Sequence, residues 1–138
     1  MNDVRKLNKP RKIRDRLVQL EQIRESLAQE RARFIGRCNR AFTDPPLAIQ
    51  FAPQRELVWR KRVAVTGGPQ STVEFHTPAG RAFLETLPPH MLSIYLELDE
   101  ERILLNMQTK IVQSEMRHLR QYLRKHENAR ALAGGTRA

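Results

Sequence analysis

Between residues 11 and 42 the apolar positions Ile13, Leu17, Leu20, Ile23, Leu27, Phe34, Ile35 and Cys38 recur three or four apart. That spacing puts them on one face of a helix, whose turn is about 3.6 residues. Pro10 stands just ahead, where a proline is tolerated because the first helical N–H has no intrahelical acceptor. Asp44-Pro45-Pro46 ends the run, since a proline ring clashes with a preceding helical turn. At about 1.5 Å per residue such a helix measures about 48 Å.

From residue 47 the period shortens. "LAIQF" alternates, "ELVWRKRVAV" sets Leu57, Trp59, Lys61, Val63 and Val65 on one face, and "STVEFH" does the same with Val73 and Phe75. "TGGPQS" supplies turn residues between the last two runs. The pattern predicts a β-hairpin with a short third strand. "TPAGRAFLETL" then reads as a short helix with Thr77 as N-cap and Pro78 in its first turn. Residues 90–98 carry both periods at once, and their leucines and the two prolines before them favour helix. Residues 99–130 are helical. Asp99, Glu100 and Glu101 read as an acidic first turn beside the positive end of the helix dipole, and Arg124, Lys125 and Arg130 suit the other end. Gly134-Gly135 closes the segment.

The predicted architecture is a mainly α single domain, residues 1–138. Arms 11–42 and 99–130 form an antiparallel long-helix hairpin, and residues 43–98 form a small β-hairpin-containing head, an α+β insert, with short flexible termini. One stripe on the second arm, Leu98, Leu105, Val112, Met116, Leu119 and Leu123, suits the first arm. Another apolar group, Ile103, Leu104, Met107 and Ile111, with Tyr122 farther along, lies on a different side. It needs the head, a second copy or another protein to cover it, and is a candidate protein interface.

Charge sharpens the reading. The chain carries 25 Lys/Arg and 15 Asp/Glu, a net charge of +10. Residues 1–16 hold seven basic and two acidic side chains, residues 117–138 hold six and one, and the 100 residues between hold twelve of each. The whole net charge therefore sits at the two ends of the sequence, which an antiparallel hairpin brings together. Arg5, Lys6, Lys9, Arg11, Lys12, Arg14, Arg117, Arg120, Arg124 and Lys125 are the candidate phosphate-binding residues. Arginine predominates among them, and its planar fork grips phosphate where lysine acts as a point charge. Trp59, Arg60 and Arg62 form a secondary candidate, a basic ribbon with a ring for base stacking. Trp59 shares a face with Leu57 and Val63, however, and its expected role is to anchor the hairpin. Arg24 and Arg31, on the apolar side of the first arm, are expected to pair with carboxylates such as Glu101 or Glu115.

Little else carries chemistry. The lone cysteine, Cys38, excludes an internal disulfide and falls on the packing seam. His76, His90, His118 and His126 lack metal-ligand spacing, and no glycine-rich phosphate loop is present. No apolar run has the length of a membrane span or the form of a secretory signal. The expectation is a cytoplasmic, non-enzymatic nucleic-acid-binding accessory or adaptor protein. It uses no metal, cofactor or small-molecule substrate and does not bind membranes. Its partners are DNA or RNA, with a protein partner or a second copy of the chain. The alternative is a coiled-coil chaperone or assembly adaptor for an acidic protein, or a small subunit of a phage or plasmid complex.

Overall fold

A computed structural model describes residues 10–62 and 72–135. Helix α1 runs Pro10–Ala41, strands β1, β2 and β3 run Leu47–Phe51, Leu57–Lys61 and Thr72–Val73, and helices α2 and α3 run Pro78–Glu85 and Pro89–Gly135. The described residues are mainly helical, 74%, with one small antiparallel sheet among them in the order β1-β2-β3. The expected helical hairpin with a β-containing head is what forms. Val63, Val65 and the "TGGPQS" turn lie outside the described residues, as do Arg5, Lys6 and Lys9.

One boundary moves. Residues 90–98 are helical and continue into the second arm, so α3 starts at Pro89. The proline in the first turn opens the helix, and the leucine-rich segment carries it onward. Asp99, Glu100 and Glu101 therefore stand inside the helix and do not serve its first turn. The side chains of Asp99 and Glu101 serve tertiary contacts.

Two compact units divide the chain, and the division falls inside both long helices. The first contains residues 10–28 of α1 and 108–135 of α3. Its core is Ile13, Leu20 and Leu27 from α1 with Val112 and Met116 from α3. Ile13, Leu20, Leu27 and Phe34 follow at seven-residue steps, the repeat that keeps one helix seam against a partner. Leu119 and Leu123 are half-buried in the same unit, as the arm-pairing pattern requires.

The second unit, residues 29–107, holds the sheet. Leu47, Ile49, Leu57, Trp59 and Val73 alternate along the strands and are buried on one face. The register sets Ile49 opposite Trp59 and Trp59 opposite Val73. Tyr95 of α3 is the centre of an aromatic cluster, stacked on Phe42 at 4.5 Å and edge-on to Trp59 at 5.4 Å. Phe75 and Phe83 complete it. The Tyr95 hydroxyl donates to the Leu47 carbonyl at 3.3 Å and accepts the Leu47 N–H at 3.4 Å, so its one polar atom is satisfied inside the core.

Strand β3 faces only Trp59 and Arg60, which leaves the backbone of Leu57 without a strand partner on that side. Asn106 of α3 fills the gap. Its carbonyl oxygen accepts the Leu57 N–H at 2.9 Å, and its amide donates to the Leu57 carbonyl at 3.0 Å. Arg102 donates to the same carbonyl at 3.0 Å. Buried backbone groups need partners, and here side chains of a helix supply what a longer strand would.

Helix α2 starts where Thr77 accepts the Gly80 N–H at 3.1 Å and donates its hydroxyl proton to the Glu74 carbonyl at 2.7 Å. Glycine at 80 is obligatory: a Cβ there would lie 1.9 Å from the Glu74 oxygen. The left-handed backbone at Asp44 (φ 51°) follows the end of α1, a conformation that aspartate tolerates better than most residues.

Candidate functional site

In the first unit the described residues include eleven Lys/Arg against five Asp/Glu, a net +6, while the second has ten against nine, a net +1. The excess charge of the described residues is thus held on one compact body. Arg11, Lys12 and Arg14 are exposed on α1, and Arg117, Arg120, Arg124 and Lys125 are exposed on α3. The first turn of α1 contains no acidic residue, so Arg11 and Lys12 add positive charge at the positive end of that helix dipole.

The candidate residues are not equivalent. Arg120 donates to Glu21 at 2.8 Å, and the other oxygen of that carboxylate accepts from Arg24 at 3.1 Å. Arg117 and Arg124 form no ion pair among the described residues. Nearby, Arg16 grips Glu115 through two bonds of 2.7 and 3.0 Å. That fork holds the Glu115 carboxyl below its ordinary range and raises the Arg16 guanidinium above its own. Arg16 is therefore engaged by Glu115, and the unpaired cations around it are the ones available to an anion.

A groove of about 590 Å³ opens between α1 and α3 within this unit. Ile13, Leu119 and Tyr122 give it apolar walls, Lys12, Asp15 and Gln19 line its polar side, and the Arg16–Glu115 pair borders it. Tyr122 is 37% exposed, and the His126 ring lies 6.0 Å from it, tilted by 31°.

The secondary candidate resolves differently. Trp59 is 2% exposed, and its indole N–H donates to Asp99 at 2.9 Å, so it anchors the hairpin and offers no open face. Arg62 lies 3.5 Å from Asp44, and the buried Nε of Arg60 has no hydrogen-bond partner among the described residues. The expected pairing of Arg24 and Arg31 is corrected as well. Glu115 takes Arg16, Glu101 takes Arg37, Arg24 takes Glu21, and Arg31 donates to the Arg55 carbonyl. A side chain leaving a helix reaches residues one turn away as readily as those across the seam, so heptad position alone does not choose its partner.

Two arginine clusters in the second unit escaped the sequence reading. Arg33, Arg37 and Arg40 line an open cleft of about 690 Å³ with Glu30, Glu101 and Gly36. Their i, i+4, i+7 spacing was visible, but counting charge by segment cancelled them against nearby acids. Arg31 and Arg55 both lie over the exposed ring of Phe51, at 4.8 and 5.3 Å. Burial and the neighbouring Arg55 push the Arg31 guanidinium below its usual range. Only the hairpin fold brings these three residues together.

Ile103, Leu104, Met107 and Ile111 are all exposed, at 47% to 58%, together with Leu96. No described residue of the head shields them. Among the described residues no group of His, Cys, Asp and Glu could hold a metal ion, and no helix is long and apolar enough to cross a membrane. Cys38 is buried, and its thiol is pushed up to about 12 by burial, which keeps it protonated and a poor nucleophile. Comparison with protein-family models, with curated proteins and with solved structures finds no match to this chain.

Proposed function

We propose that the protein is a non-enzymatic nucleic-acid-binding accessory or adaptor protein of the cytoplasm, gripping the phosphate backbone through the basic side chains of its first unit. The observation that carries this reading is the concentration of net charge there, +6 against +1 among the described residues. Like charges held on one compact body repel, and a polyanion relieves that repulsion. The unfavourable cations at the start of α1 gain in the same way, since a phosphate complements both the side chains and the helix dipole. Phosphate contacts fix position without reading bases, so sequence discrimination at this surface is weak.

The test is binding as a function of salt. Each phosphate neutralised on duplex DNA contributes about −0.9 to the slope of log affinity against log salt. With Arg120 held by Glu21, the six remaining described candidates Arg11, Lys12, Arg14, Arg117, Arg124 and Lys125 give a slope of roughly −5.4. Arg117→Ala should lower it by about one unit on every sequence alike. Binding that ignores salt, or no binding to DNA or RNA at low salt, removes the reading.

The exposed apolar face of α3 favours an adaptor role beside this one. Leu96, Ile103, Leu104 and Met107 sit on the second unit, where net charge is small. Exposed apolar side chains clustered on one helix face suit a protein contact. Met107→Gln with Ile103→Gln should leave thermal stability and nucleic-acid affinity unchanged while abolishing association with a protein partner or a second copy.

A further inference from the structure

We infer that the groove between α1 and α3 in the first unit takes an unpaired nucleobase, so that the nucleic acid this surface prefers is single-stranded; this rests on the phosphate-gripping reading above. The groove's volume, about 590 Å³, falls within the range of roughly 300–1,000 Å³ typical of small-ligand sites. Its composition suits a base face, a base edge and a phosphate. Tyr122 lines the groove and is 37% exposed, which gives a base an aromatic ring to stack upon. Ile13 and Leu119 are buried and half-buried apolar walls for the rest of the base plane. Asp15 brings carboxylate acceptors and Gln19 an amide donor to the same groove, the Gln19 carbonyl being held by Arg16 at 3.3 Å, and such groups meet the polar edge of a base. Lys12, exposed and lining the groove, is the cation that meets the nucleotide's own phosphate.

The Arg16–Glu115 fork explains why the groove does not simply collect phosphate at its wall. Both of its charges are satisfied by two hydrogen bonds, so it borders the groove as a closed pair. Negative Asp15 also disfavours a phosphate inside, which leaves the interior to the neutral base and the rim to the anion. A base in a duplex cannot enter, because its faces are covered by its neighbours and its edge is paired. Entry therefore demands a single strand, loop or end, in DNA or RNA alike.

The test uses the full-length protein and a single strand carrying 2-aminopurine, whose fluorescence drops when it stacks on a ring. Wild-type protein should quench that signal and bind the single strand more tightly than the matching duplex. Tyr122→Ala should lose the quenching and bind single strands at least about fivefold more weakly, the lower end of what one base–aromatic stack contributes, with duplex affinity changed less than twofold. Tyr122→Phe should keep both. DNA and RNA strands of one sequence, measured in parallel, show whether the sugar matters. The inference is overturned by unchanged 2-aminopurine fluorescence in the wild-type complex, by equal loss of single-strand and duplex binding in Tyr122→Ala, or by a duplex that binds as tightly as the single strand. If the salt slope persists in those cases, only the base groove is wrong. If no nucleic acid binds and an acidic, aromatic-containing peptide occupies the groove, the phosphate reading fails with it.

Discussion

Trp59 on β2 donates its indole N–H to Asp99 on α3 at 2.9 Å, and Asp99 accepts from Arg102 at 2.8 Å through the same carboxylate oxygen. Asp99 and Arg102 are both largely shielded, with side chains 14% and 15% exposed. One carboxylate thus fixes the central strand and anchors an arginine that caps Leu57. Asp99→Ala leaves an indole donor and a shielded guanidinium without their acceptor. It should cost about 2–4 kcal/mol in urea unfolding, whereas Asp99→Asn, which keeps an acceptor, should cost less than half of that.

Gly80→Ala is expected to be costly out of proportion to one methyl. The new carbon would lie 1.9 Å from the Glu74 carbonyl oxygen and 2.7 Å from the Phe75 Cα, both backbone atoms. Helix α2 would have to shift off the β3 end of the head, at a cost of about 2 kcal/mol or more. The change should appear as a lower Tm with α1 and α3 helicity retained at low temperature. A Tm within a degree of wild type would show that α2 does not need this close approach.

Cys38 gives a pH test with a definite sign. Its thiol titrates at about 12 in the folded protein against an ordinary value of 9.0. The folded state therefore holds its proton across an interval where the unfolded chain releases it. That contribution to stability is full below pH 9 and is lost as pH rises from there toward 12. Cys38→Ala should flatten the decline in stability over that interval. Alkylation of native Cys38 at pH 8 should be limited by unfolding, and rapid labelling would contradict its burial.

Glu21 restrains the candidate surface by occupying Arg120 and Arg24 together. Glu21→Gln removes one negative charge and frees Arg120. Affinity for nucleic acid should rise, and the slope against salt should steepen by roughly 0.9 on a duplex. Stability should fall by no more than about 1 kcal/mol, because both pairs are about half exposed. An unchanged slope would place Arg120 outside the contact surface.

The long elements were legible because their signals are local. Ile13, Leu20 and Leu27 repeat at helical spacing, and Leu47, Ile49, Leu57 and Trp59 alternate, whatever the rest of the chain does. The start of α3 was misplaced because Asp99–Glu101 resembles a helix opening, while the residues that open the helix, Pro88-Pro89, also read as a stop. Asn106 and Tyr95 gave no pattern at all. A single polar group in an apolar run means something only when its partner is known, and the backbone of Leu57 or Leu47 is 49 or 48 positions away. The charge at the chain ends was visible by counting. Its division into paired Arg16 and Arg120 and unpaired Arg117 and Arg124 was not, because that depends on which carboxylates the fold brings near.

Arg16 and Glu115 are separated by 99 positions in the chain, as are Glu21 and Arg120. Contacts of that range impose a sequence of events on folding. Bringing such distant segments together from a disordered chain carries a loop-closure penalty, and each halving of the free loop removes only about 0.6 kcal/mol of it. The strand pairing of Phe51 with Leu57, by contrast, closes over a handful of residues. The hairpin of the second unit is therefore the natural nucleus, and the first unit closes late, after the intervening chain has been taken up. Weakening the late contacts should chiefly quicken unfolding, while changes at the hairpin should slow the refolding limb. The basic surface would then be the last part of the molecule assembled and the first to come apart.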